Sequence, residues 1–393
     1  RHGGHHNRHD FIDREVVMPW KEVSKMSQRR EFVTLAQAEG TNRRALCRHF
    51  SISPTTGYKW LLRFRERSEE GLVDLPRRPR YSPFRTPAEI EQAVLAAREA
   101  HPAWGARKLR AWLLGKGHEW MPSPSTITAI LKRHGRIDPA EGPKHRAWQR
   151  FERQAPNELW QMDFKGHFPL NKGRCHPLTV LDDHSRFALG LDACGDEQGE
   201  TVRGRLTSIF RRYGLPDRMI MDNGSPWGFD HDHPYTPLTV WLLRLGIGVS
   251  HGRPYHPQTQ GKDERFHRTM TAEVLQGRNF TDLAYCQKVF DHWRDVYNLE
   301  RPHEALGLLT PASKYEVSHR PFPDILPPLE YGPGDLVRRV QDKGRISVFG
   351  RIFKIGKAFR GMTVALRPTT TDGVWDVFFS IHAITQLDLR RDD

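Results

Sequence analysis

Paired cysteines, long apolar runs and an excess of negative charge are all missing from this chain. Four cysteines, Cys47, Cys175, Cys194 and Cys286, are scattered through 393 residues without a CxxC spacing. That excludes a disulfide scaffold and a cysteine-based structural zinc site, and it fits a reduced, intracellular setting. No run of about eighteen apolar residues occurs, so no membrane-spanning helix is expected. Acidic side chains number 47 against 61 basic ones, a net charge of +14. Such a surplus favours a polyanionic partner over an acidic or membrane-embedded role. At this length two to four domains are expected.

What is present divides by composition. Residues 1–20 are polar, rich in histidine and without periodicity, and they lack an initiator Met; a disordered tail is expected, with Met18 as a plausible start and no role assigned to residues 1–17. Residues 21–74 carry helical periodicity, with Asn42 placed as an N-cap and Pro54 in the first turn of a further helix. Two short helices joined by a tight turn predict a helix-turn-helix, with Thr55, Thr56, Tyr58 and Lys59 facing DNA and Trp60, Leu61 and Phe64 facing the core. Residues 75–86 form a Pro- and Arg-rich linker whose Arg77, Arg78 and Arg80 are candidate phosphate or minor-groove contacts. Three more helical segments in 87–136 predict a second helix-turn-helix, winged-helix-like, with Ser123 or Ser125 as a cap and Ser125, Thr126, Thr128 and Lys132 as candidate contacts. A basic linker, 137–156, follows.

From 157 to 316 the pattern changes to strands and helices in alternation. A first strand carries Asp163, a hairpin turns at Asp183, His184 and Ser185, and after a helix a short apolar run ends at Asp222. This strand order predicts an α/β sheet of the ribonuclease-H-like kind. Open sheets of this sort place chemistry at the carboxyl ends of their strands. Helical spacing resumes near Lys262, with Phe266, Met270 and Val274 at i, i+4 and i+8, so Glu264 falls in the first turn and is expected to face Asp222. Three carboxylates so disposed suit a pair of Mg²⁺ ions, which prefer oxygen ligands. Asp182 and Asp183 are rival ligands, though a hairpin turn explains them without a metal. A Pro-rich linker, 317–332, leads to short Gly-punctuated strands over 333–389, whose spacing predicts a small five-stranded all-β barrel with Arg338, Arg345, Arg351 and Lys354 as basic candidates for DNA.

The motifs WQMDF, LTVLDDHSRFALG, MDNGSPW, PYHPQTQGKDERFHR and YNLERPHEAL, followed by TP, stand in the order found in bacterial insertion-sequence DDE transposases with a retroviral-integrase-like core. The chain resembles that family over residues 157–315 closely and its flanks more loosely. The resemblance implies that Asp163, Asp222 and Glu264 are the catalytic triad and the ligands of two Mg²⁺ ions, with Mn²⁺ as a substitute. It further implies binding to the terminal inverted repeats of the element, cleavage to a 3′-OH, joining to target DNA, and a homo-oligomer, dimer or tetramer, on double-stranded DNA in the bacterial cytoplasm, associated with the nucleoid. Tyr255, Gln258 and Gln260, in the loop before Glu264, and Lys262 and Arg268 on its helix are the candidate DNA contacts of the core. Two departures stand out: the 42 positions from Asp222 to Glu264 exceed the retroviral spacing, and Thr271 occupies a position often basic in relatives. The alternatives are a non-catalytic DNA-binding regulator derived from a transposase, and a nuclease of the same fold.

Overall fold

The computed structural model describes residues 24–75, 85–137, 153–228, 234–252 and 261–390. The chain divides into two compact units, Arg1–Arg85 and Thr86–Asp393.

The first unit is helical: α1 (Lys25–Gln37), α2 (Arg43–His49) and α3 (Pro54–Arg67), closed by a 3₁₀ turn at Ser68–Leu72. The side chains of Ser24, Asn42 and Ser53 accept hydrogen bonds from Ser27 N, Ala45 N and Thr56 N, so each helix begins at a polar cap. Phe32, Val33, Ala36, Cys47, Trp60 and Leu72 form the core, with Leu61 and Phe64 packed against it. Gly57 is required by this packing: a Cβ there would lie 2.6 Å from Cys47 Sγ and 2.8 Å from Phe32 Cζ.

The second unit opens with α4 (Ala88–Ala100), α5 (Ala106–Gly115) and α6 (Pro124–Arg133), the last capped by Ser123. They enclose Val94, Trp104, Leu109, Leu113, Ile127 and Ile130.

The central sheet comprises β1 (Trp160–Phe164), β2 (Phe168–Pro169), β3 (Arg174–Asp182), β4 (Ala188–Cys194), β5 (Arg218–Met221) and β6 (Gly248–His251). Its order is β2-β3-β1-β5-β6, with β4 also paired to β3. β1 runs antiparallel to β3 and parallel to β5, and β5 parallel to β6. Helices α7 (Gly199–Tyr213) and α8 (Pro237–Arg244) cover one face, burying Trp160, Met162, Leu206, Phe210, Met219 and Trp241. The other face receives α9 (Gly261–Met270) and α10 (Leu283–Asp295), whose Phe266, Met270, Phe290 and Trp293 pack on Leu181, Ala188 and Leu191. Each of these two helices ends in a π turn, at Thr271–Leu275 and Val296–Glu300.

Trp112 Nε1 donates to Glu300 Oε2 at 3.2 Å, and Lys116 Nζ lies 3.4 Å from the same carboxylate. The α4–α6 group is thereby held to the end of α10.

The C-terminal region corrects the barrel expected from the strand spacing. It has six strands, β7 (Leu336–Arg339), β8 (Arg345–Val348), β9 (Arg351–Lys354), β10 (Thr363–Pro368), β11 (Val374–Phe379) and β12 (His382–Asp388). They form an open four-stranded antiparallel sheet, β12-β11-β10-β7, and a separate hairpin, β8-β9. Neither edge of the sheet pairs with the hairpin, so no ring closes. The physical reason lies in what covers the apolar face. Val240 and Leu243 of α8 enter the same core as Ile346, Val348, Phe359, Val364, Leu366, Val377 and Phe379. The face that closure would have buried is capped by a helix instead.

Candidate active site

Asp163 lies near the carboxyl end of β1 and Asp222 directly follows β5. These strands are parallel neighbours, with Trp160 opposite Met219 and Gln161 opposite Ile220. Two residues further along each strand, Asp163 and Asp222 stand level. The β5 terminus is held in place: His251 Nδ1 bonds the Asp222 carbonyl at 2.9 Å, and Asn223 Nδ2 donates to Gly252 O at 2.7 Å.

Asp163 is partly buried and Asp222 exposed. Burial, then the neighbouring Asp222 carboxylate, pushes the Asp163 pKa up to about 7. Asp163 therefore stands within reach of the Asp222 charge.

Helix α9 contacts the sheet through His267, whose Nε2 lies 2.9 Å from Thr179 Oγ1; the same hydroxyl donates to the Asp163 carbonyl at 3.0 Å. Burial pushes the His267 pKa down to about 4, so the imidazole is neutral at pH 7. One turn earlier on this face stands Asp263, 1% exposed, with neither carboxylate oxygen hydrogen-bonded. Burial, then Asp163, Asp183 and Asp222, drive its pKa well above the usual carboxylate range.

Glu264, by contrast, is exposed. The structure brings Asp163 and Asp222 level on adjacent strands, and Glu264 does not join them in a cluster of three. Among the described residues no three His, Cys, Asp or Glu side chains are close enough to hold a metal ion. Asp263 escaped the sequence reading, although Phe266 and Met270, three and seven positions on, already marked its face of the helix as buried.

The rival carboxylates are occupied. Asp182 accepts from Asn157 N, Ser185 N and Ser185 Oγ. Asp183 accepts from Arg153 N and Gln161 Nε2 and pairs with Lys262. Asn298, Arg301 and His303 of the YNLERPHEAL motif are structural: Asn298 bridges the Ala188 N–H and C=O, Arg301 pairs with Glu273, and the His303 ring packs edge-on to Tyr297.

Of the candidate DNA contacts, Thr55, Tyr58 and Lys59 are exposed on α3, with Thr56 partly so. Ser125 and Lys132 are exposed on α6, and Thr126 is partly buried beside the Ser123 cap. Arg268 is exposed, whereas the Lys262 ammonium is turned onto Asp183. Arg77, Arg78, Arg80, Tyr255, Gln258 and Gln260 lie outside the described residues.

Comparison with known proteins matches an integrase core domain to residues 153–257 and again to 245–311. A helix-turn-helix domain matches 28–80, a homeodomain-like domain 56–131, and the C-terminal domain of IS481 family transposases 335–393. The insertion element IS407 uncharacterized 31.7 kDa protein of Burkholderia multivorans is 30% identical over 43% of this chain and 59% of its own length. The insertion element IS476 uncharacterized 39.2 kDa protein of Xanthomonas euvesicatoria is 29% identical over 40% and 44%. The chain spans about half the length of these curated relatives. The catalytic core domain of BIV integrase, 24% identical, covers 40% of this chain and 92% of its own at a TM-score of 0.30, too loose a superposition to transfer any residue. No helix among the described residues is long and apolar enough to cross a membrane. Between helix-turn-helix segments and C-terminal sheets, this chain carries an integrase core domain, and it is similar in part to insertion-element proteins.

Proposed function

We propose that the protein is a DNA transposase that binds the terminal inverted repeats of its own insertion sequence, cleaves to leave a 3′-OH, and joins that end to target DNA. The observation that carries this reading is the level pair Asp163 and Asp222 on adjacent parallel strands of an integrase core, close enough for one charge to raise the other's pKa. A partly buried carboxylate whose pKa is raised by burial and by a second one level with it on the adjacent strand suits a hard divalent cation, which prefers oxygen ligands. Asp163 and Asp222 would hold Mg²⁺, or Mn²⁺ in its place, and Glu264 would complete the set of ligands. Two such ions, when bound, activate the attacking oxygen and stabilise the departing one in an in-line displacement.

The chain's own residues supply the rest. β1 and β5 fix the two aspartates on rigid backbone, and His251 and Asn223 prevent the Asp222 turn from swinging away. His267 is already hydrogen-bonded and neutral, so it orients α9 and takes no proton. Exposed Thr55, Tyr58 and Lys59 on α3, and Ser125 and Lys132 on α6, suit groove and phosphate contacts, with the net charge of +14 drawing in DNA. Pairing of two DNA ends implies a homo-oligomer, dimer or tetramer, on the nucleic acid.

Asp222→Asn should abolish nicking and strand transfer on labelled element ends while end binding persists. Strand transfer by this variant at the wild-type rate would remove Asp222 from the site. The same assay separates joining from cutting alone.

A further inference from the structure

The carboxylates of the proposed site sit on elements that are far apart in sequence, so their alignment needs a physical tie. The structure contains one. Asp183, in the turn between β3 and β4, is 2% exposed. Its Oδ1 accepts from Gln161 Nε2 at 2.7 Å, its Oδ2 lies 2.5 Å from Lys262 Nζ, and Lys262 Nζ also donates to the Asp183 carbonyl at 3.0 Å. Its backbone N–H donates to Leu159 O at 2.9 Å, and its Oδ2 accepts from Arg153 N at 3.0 Å.

Gln161 lies two residues before Asp163 on β1, hence on the same face of the sheet. Lys262 lies two residues before Glu264 in the first turn of α9. The bridge Gln161–Asp183–Lys262 therefore joins the strand that bears one proposed ligand to the helix turn that bears another. We propose that Lys262 is a positioning residue that fixes the rotation of α9, and with it the place of Glu264 relative to Asp163. The inference rests on the transposase reading through the role given to Glu264.

Stability alone accounts poorly for this pair. A buried ion pair loses hydration that its attraction only partly restores, and an apolar pair of similar size would hold the helix as well. What the ion pair adds is direction. The ammonium meets a carboxylate oxygen and a carbonyl at once, and both are anchored to β1, so rotation of the helix by a fraction of a turn breaks two contacts. Lys262 also supplies positive charge beside the buried Asp263 carboxyl. A lysine at this motif position reads from sequence as a phosphate contact, and the two roles differ in what its removal changes.

The test uses the full chain, with Mn²⁺ as the probe, its free concentration followed by electron paramagnetic resonance. Wild type, Asp163→Asn, Lys262→Met, Lys262→Arg and the neutral double variant Asp183→Asn/Lys262→Met are compared. Loss of an orienting partner outside the ligand shell is expected to weaken Mn²⁺ binding about tenfold in Lys262→Met. Lys262→Arg should recover most of that loss, because it keeps the donors. The double variant should melt at or near the wild-type temperature yet stay weak for Mn²⁺, which separates positioning from stability. Affinity for a duplex oligonucleotide of arbitrary sequence, and its salt dependence, should be unchanged in Lys262→Met. Wild-type Mn²⁺ affinity in Lys262→Met, or a salt slope reduced by about one unit, would overturn the proposal and return Lys262 to a phosphate-contact role. Failure of Asp163→Asn to weaken Mn²⁺ binding would instead sink the metal-site reading itself, and the positioning role with it.

Discussion

Arg301→Met should loosen the core at a predictable place. Arg301 and Glu273 form an ion pair in which both side chains are under a tenth exposed, 8% and 9%, with Nε 3.0 Å from Oε1. The other carboxylate oxygen, Oε2, accepts from Trp293 Nε1 at 2.9 Å. Removing one member of a buried pair costs about 3–5 kcal/mol, mainly because the survivor keeps its charge without its partner. The indole bond remains, so the lower end, about 3 kcal/mol, is expected. Glu273 lies in the π turn that ends α9 and Arg301 follows the π turn that ends α10, so the loss falls on the tie between these helices. Native-state hydrogen exchange reads it directly. If the amides at the end of α9 exchange by opening of this unit, about 3 kcal/mol corresponds to roughly a hundredfold faster exchange. The double variant Glu273→Met/Arg301→Met, which leaves no orphan charge, should recover most of the loss. A coupling energy below about 1 kcal/mol in that cycle would refute the reasoning.

Two further perturbations follow from the packing. His303 is 9% exposed, and burial, then Arg301, Lys108 and Arg186, push its pKa down to about 2 from 6.5. The unfolded chain takes up a proton near pH 6.5 that the folded chain refuses. Stability is therefore full above that pH and falls by up to about 1.4 kcal/mol per pH unit below it, about 2–3 kcal/mol by pH 4.5. His303→Leu should flatten this acid limb in melting curves taken from pH 7.5 to 4.5, and an unchanged slope would refute it. Gly57→Ala in α3 places a methyl against Cys47 and Phe32 and should cost about 1–3 kcal/mol by denaturant unfolding. The companion change Cys47→Ala should restore part of it, and a neutral Gly57→Ala would show that the two side chains yield freely.

The parts of the fold that depend on local chemistry were readable in the chain. Asn42 and Ser123 cap where their side chains can accept a backbone N–H, and Pro54 starts α3 where its missing donor costs nothing. The apolar runs ending at Asp163 and Asp222 are strands because they are short, buried on both faces and bounded by turn residues. Pairing between distant strands is another matter. Alternation along 336–379 announces strands but does not say which edges meet, and docking of Val240 and Leu243 against the sheet removed the need to close it. The sixth strand, His382–Asp388, carries His, Thr and Gln on a half-exposed edge and so gives little apolar signal.

The orientation of α9 was within reach of the sequence, and it bears on the chemistry. Extending the stripe Met270 and Phe266 backward by three residues lands on Asp263, not on Glu264, which a helix rotates by about 100° from its neighbour. An acidic residue on a buried stripe breaks the pattern of a plain packing helix. Such breaks concentrate where function outweighs stability. Asp263 stands inside the sheet–helix interface, where no phosphodiester can reach it, whereas Glu264 stands at the rim. A carboxylate that must meet both a metal ion and an incoming DNA strand has to be at the rim. The exposed position of Glu264 is therefore compatible with the role proposed for it, and that role asks that something other than its own packing aim it. The Lys262–Asp183 pair two residues away restrains this turn, so under the proposed function the direction of Glu264 depends on a side chain outside the metal-ligand set.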